Sequence, residues 1–116
     1  MSQKTLPLGH GELLELAYQL PTPFHLYDEK AIVEQARSLK KLFSWAPGFC
    51  NYYAVKACPN PAILKLLAAE GFGADCSSLP ELMLSKASGI SGSKIMFTSN
   101  DTPAEEFKAA YEMGAI

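Results

Sequence analysis

A lysine closes an apolar run in "NYYAVKAC", residues 51–58. Aromatic and aliphatic neighbours predict a buried β-strand over residues 52–56, with Lys56 at its end. In a parallel α/β sheet, ligands bind beyond the C-terminal ends of the strands, so this position is chemically interesting. Partial burial there would disfavour the ammonium and leave a free amine able to attack a carbonyl carbon. The competing reading is a lysine whose apolar stem lies along the core while its ammonium reaches water. On the residue pattern alone both readings stay open.

Asp75, in "GADCSS", falls near the end of a second strand and would face the same rim. It is either a carboxylate beside the reactive amine or the cap of the following helix. Thr98, Ser99 and Asn100 end a third strand, where they either line the mouth or form the turn into the next helix. Ser77 and Ser78 read as caps and not as nucleophiles, since no histidine base accompanies them. Two histidines, His10 and His25, and three cysteines, Cys50, Cys58 and Cys76, form no CxxC pair and no ligand set. That spacing argues against zinc and suits reduced thiols, with Cys58 and Cys76 read as small buried residues. "GFGAD" precedes a strand instead of following one, so it is not a dinucleotide loop.

The elements that must position these groups follow from periodicity. A helix is expected near Glu12–Gln19, then "PTPF" breaks the pattern and "FHLYD" alternates as a short strand. Asp28 is placed to cap a helix over residues 29–43, whose inner stripe is Ile32, Val33, Ala36, Leu39, Leu42 and Phe43. After the Tyr52–Lys56 strand, Asn60 caps and Pro61 opens a helix driven by Ile63, Leu64, Leu66 and Leu67 as far as Gly71. "GADCS" is the second strand, and Ser78 with Glu81 has capping-box spacing for a helix to about Ala87. "KIMFTS" is the third strand, with Thr102 and Glu105 repeating that spacing and Pro103 at the helix start. Ala115 and Ile116 then look like the opening of another strand.

Three strand–helix units imply a parallel sheet. Both of its edges would be open, and open edges invite association. The expectation is therefore the N-terminal part of a larger α/β protein, a (β/α)8 barrel cut as its fourth strand begins. Residues 1–22 read as a lead and 23–116 as barrel. The alternative is a small three-layer domain, complete as written. The 116 residues carry ten basic and twelve acidic side chains, net charge −2, with no basic stripe and no like-charge run. Nucleic-acid and anionic-membrane partners are not expected. "MSQKTLPLGHGELLELAYQLP" lacks a long apolar stretch, so a cytoplasmic location is expected by default.

With these blocks placed, the chain resembles the start of a fold-type III pyridoxal-phosphate decarboxylase with an alanine racemase-like barrel. Within that group it is most similar to the diaminopimelate decarboxylases. The resemblance is carried by "TPFHLYD", "YYAVKACPNPAILKLLAAEGFGADCSSLPEL" and "IMFTSNDTPAEEFKAAYEMGAI", in that order, from Pro21 to Ile116. It implies a barrel followed by a β-domain, an active site at a homodimer interface, and pyridoxal phosphate bonded covalently to Lys56. Asp75 matches an acidic position near that cofactor. The implied reaction is decarboxylation of meso-2,6-diaminopimelate to L-lysine, the last step of lysine biosynthesis. Cys58 stands where the family usually has asparagine, which blurs the subfamily. The family's phosphate-binding glycines and substrate-gripping residues lie later in the chain, so these residues alone are expected to be inactive. Ornithine, arginine and carboxynorspermidine decarboxylases share the lysine block. Two further readings are a non-catalytic barrel relative acting as a binding protein and a small pyridoxal-phosphate carrier.

Overall fold

The computed structural model describes residues 6–116. Its helices are α1 (His10–Gln19), α2 (Glu29–Leu42), α3 (Pro61–Ala69), α4 (Leu79–Ala87) and α5 (Ala104–Glu112). Strands β1 (Tyr52–Ala54), β2 (Gly73–Cys76) and β3 (Ile95–Phe97) form one parallel sheet in the order β1-β2-β3. This is the expected run of βα units. Ile116 extends the pattern: its N–H donates to the Ile95 carbonyl at 3.0 Å, and its carbonyl accepts from the Phe97 N–H at 2.9 Å. Those two bonds are a parallel ladder step, so the chain begins to pair on the free side of β3 as expected.

Local chemistry explains the boundaries. Asp28 Oδ1 accepts from the Ala31 N–H at 2.9 Å and starts α2, and Asn60 Oδ1 accepts from the Ala62 N–H at 2.9 Å and starts α3. Helix α3 ends when Gly71 turns to φ 86°, which lets the Phe72 N–H reach the Leu67 carbonyl and bury the Phe72 ring. The ends of α4 and α5 repeat those bonds, from Ile90 to Ser85 and from Ala115 to Ala110, each at 3.0 Å. Each helix is thereby turned back into the next strand by one and the same device.

Four expectations need correction. "FHLYD" forms no strand among the described residues; its alternation is real, but no neighbouring strand offers a ladder to pair with. The first strand stops at Ala54, and Val55–Ala57 turn as a 3₁₀ segment. Thr102 and Glu105 do not form a capping box, because Pro103 is the cap residue and it offers no side-chain acceptor. Ser78 does not cap α4 with its side chain either.

The two faces of the sheet differ. Side chains alternate along a strand, and register partners share a face. Val55, Ala74, Cys76 and Ile95 are fully buried on one face against Leu64 of α3, Leu82 of α4 and Ala110 of α5. A second cluster joins Ala36 of α2 to Ile63, Leu67 and Phe72. Tyr52, Ala54, Gly73, Asp75 and Met96 alternate to the opposite face, which no helix of the described residues covers. Gly73 is obligatory there: a Cβ would lie 2.6 Å from the Lys94 carbonyl oxygen and 2.6 Å from Tyr52 Cδ1. The Tyr52 ring lies across that glycine, and its hydroxyl donates to the Ser93 carbonyl at 2.7 Å.

Candidate functional site

Lys56 sits in the 3₁₀ turn just past β1 and is exposed. The position at the rim matches expectation, but the partial burial does not. Val55, fully buried, pins one side of the turn, and the Asn60 N–H bonded to the Cys58 carbonyl at 2.8 Å closes the other. The backbone under the amine is therefore fixed while the amine itself meets solvent.

Asp75 lies on the uncovered face of β2, half-buried, in register with Ala54 of β1 and Met96 of β3. Lys56 is two residues beyond that register partner, so both groups belong to the same end of the sheet. Asp75 does not cap α4. Its Oδ1 instead accepts from the Thr98 hydroxyl at 2.5 Å. The Thr98 N–H in turn donates to the Cys76 carbonyl at 2.9 Å, which continues the ladder past β3.

Two glutamates gather at the start of α4, and Glu106 is the one that caps a helix N–H. Glu81 Oε2 accepts from the Ser77 N–H at 2.9 Å, and Oε1 accepts from the Ser77 and Ser78 hydroxyls at 3.0 and 3.2 Å. Glu106, reaching over from α5, accepts from the Leu79 N–H at 3.0 Å. Sequence reading missed Glu106, because the only local signal was an acidic residue at a helix start and its partner lies on another helix. Ser77 and Ser78 are thus donors to a carboxylate and not nucleophiles. Two carboxylates thus lie at the α4 N-terminus, where the helix dipole favours negative charge. Ser99 and Asn100 lie in the turn between β3 and α5.

The cysteines carry no site. Cys76 is buried, and burial pushes its thiol up; the Ser85 hydroxyl at 3.2 Å partly offsets this, while the Glu81 and Asp75 charges add to it. A thiol held protonated is a poor nucleophile. Cys58 is half-buried, and its sulfur lies 3.5 Å from the Tyr27 hydroxyl. That contact pushes the Tyr27 phenol up. Cys50 lies at the other end of the sheet, with Lys94 Nζ 3.3 Å from its sulfur. Neither His10 nor His25 joins a group of three metal-ligating side chains among the described residues.

A primary amine and a hydrogen-bonded carboxylate therefore share one strand-end rim. Residues 29–115 match the family model described as pyridoxal-dependent decarboxylase, pyridoxal binding domain. The chain belongs to that family. It is 50% identical over 102 residues to the protein TabA of Pseudomonas amygdali pv. tabaci, covering 88% of this chain and 24% of the relative. It is 33% identical over 110 residues to the diaminopimelate decarboxylase of Methanothermobacter thermautotrophicus, covering 94% and 26%. The solved lysine decarboxylase of Selenomonas ruminantium superposes with a TM-score of 0.79 at 31% identity, covering 95% of this chain and 28% of that one. The chain thus spans about a quarter of the length of the proteins it matches. Its fold is the N-terminal part of the barrel of these pyridoxal-phosphate decarboxylases. No helix of the described residues is long and apolar enough to cross a membrane.

Proposed function

We propose that Lys56 holds pyridoxal phosphate covalently in a decarboxylase acting on meso-2,6-diaminopimelate, with Asp75 beside the cofactor and residues 23–116 forming the first part of its barrel. The observation carrying this is the place of Lys56, on a turn fixed by its buried neighbour Val55 at the rim that Asp75 shares. When bound, pyridoxal phosphate supplies a ring that accepts the electron pair left by departing carbon dioxide. Lys56 would hold the cofactor through Nζ, and Nζ, once released from it, would be placed to hold or return a proton. Asp75 keeps one carboxylate oxygen for an amine or cofactor donor while Thr98 holds the other.

Tyr52, Ala54 and Met96 wall one side of the site and exclude water only if something faces them. The 116 residues alone are therefore inactive in this reading, and the active form is a cytoplasmic homodimer. Diaminopimelate is favoured because relatives at 32–36% identity bear that enzyme's name. Lysine is the second candidate, from the likeness to the Selenomonas enzyme. Carbon dioxide release by the complete protein from diaminopimelate, lysine, ornithine, arginine and carboxynorspermidine separates them. We expect diaminopimelate to lead in kcat/KM by about a hundredfold. A lead for another amino acid overturns the substrate, and release from none of them overturns the enzyme in favour of a binding protein.

A further inference from the structure

We infer that Thr98 is a positioning residue that locks the Asp75 carboxylate in one rotamer at the rim, with Oδ1 held on the β3 side and Oδ2 left for the β1 side, where Lys56 lies. The role at Lys56 rests on the function proposed above; the lock itself does not. Asp75 projects from the uncovered face, where no helix packs against it. An aspartate in that setting has several rotamers within reach, and only a directional bond selects one. The Thr98 hydroxyl provides that bond to Oδ1 at 2.5 Å. Thr98 can hold the geometry because its own N–H is tied to the Cys76 carbonyl at 2.9 Å, immediately after Asp75 in β2. Backbone and side chain of one residue thereby clamp two consecutive residues of the neighbouring strand. Oδ2 is left without a partner among the described residues, which suits it to receive a donor from the direction of β1.

The hydroxyl alone matters in this account, so Thr98→Val and Thr98→Ser form the test. Both are exposed changes of similar size, and an unchanged amide spectrum elsewhere confirms folding. In the wild-type protein, Hα–Hβ couplings of Asp75 are expected to report a single rotamer. Thr98→Val averages them, and Thr98→Ser restores them. The second readout is the yield of borohydride-trapped pyridoxal-phosphate adduct at Lys56, expected to fall about fivefold in Thr98→Val and to recover in Thr98→Ser. Couplings unchanged in Thr98→Val overturn the lock. Averaged couplings with an undiminished adduct overturn its action on Lys56. Absence of adduct from the wild type overturns the function proposed for Lys56, while the couplings still decide the lock.

Discussion

The two faces of one three-stranded sheet do opposite work. The helix-covered face is built from Val55, Ala74, Cys76 and Ile95, all at zero exposure, packed on Leu64 and Leu82. The other face carries Tyr52, Ala54, Asp75 and Met96 and ends at the rim with Lys56 and Thr98. The amine of Lys56, the carboxylate of Asp75 and the hydroxyl of Thr98 belong to the side without helix packing. A parallel sheet is ordinarily covered on both faces, so the difference marks the uncovered side as the inner wall of a barrel.

Core truncation on the covered face has the largest expected effect on stability. Leu82→Ala should cost about 2–5 kcal/mol by urea denaturation, because a fully buried leucine leaves a cavity. The matching change on the open face, Met96→Ala, should cost less than about 1 kcal/mol. Equal costs would mean that the open face is packed in solution. Next in size is Gly73→Ala, which forces a methyl against the Lys94 carbonyl and the Tyr52 ring and should destabilise by about 1–3 kcal/mol. Its signature is a disturbed Tyr52 environment in near-ultraviolet circular dichroism, and an unchanged signal would argue that the strands open easily.

Much of this was legible in the sequence, and the failures share a cause. Helix starts at Asp28 and Asn60 are local, and so are the glycines that end α3, α4 and α5, so all could be read from short motifs. "FHLYD" alternates like a strand but has nothing to pair with, and pairing is a non-local property. Glu106 was invisible for the same reason, since its partner is Leu79 of α4. Lys56 was placed at the right end of the sheet, though it lies in the 3₁₀ turn past β1 and not in the strand. Its exposure agrees with the alternative in which the ammonium reaches water; the residue pattern left that open, because what covers a strand end depends on distant residues.

The smallest effect expected comes from the outer surface, between α2 and the end of α3. Arg37 bonds both oxygens of Glu70, at 2.7 and 3.1 Å, and holds that carboxyl below its ordinary value. The folded state therefore binds this proton less readily than the unfolded state does. The pair stabilises the protein above the usual glutamate range, and its contribution is lost as pH falls through the lowered value. Arg37→Met should lower the urea midpoint slightly at neutral pH, with the gap closing in acid. A gap that persists in acid would mean that the side chain acts through packing.

Reduction of the complete protein with borohydride in the presence of pyridoxal phosphate, followed by peptide mapping, tests the account most directly. The expected result is a single pyridoxyl group on the peptide containing Lys56, absent from Lys56→Ala while its urea midpoint is unchanged. A pyridoxyl group on any other lysine, or on none, would contradict it.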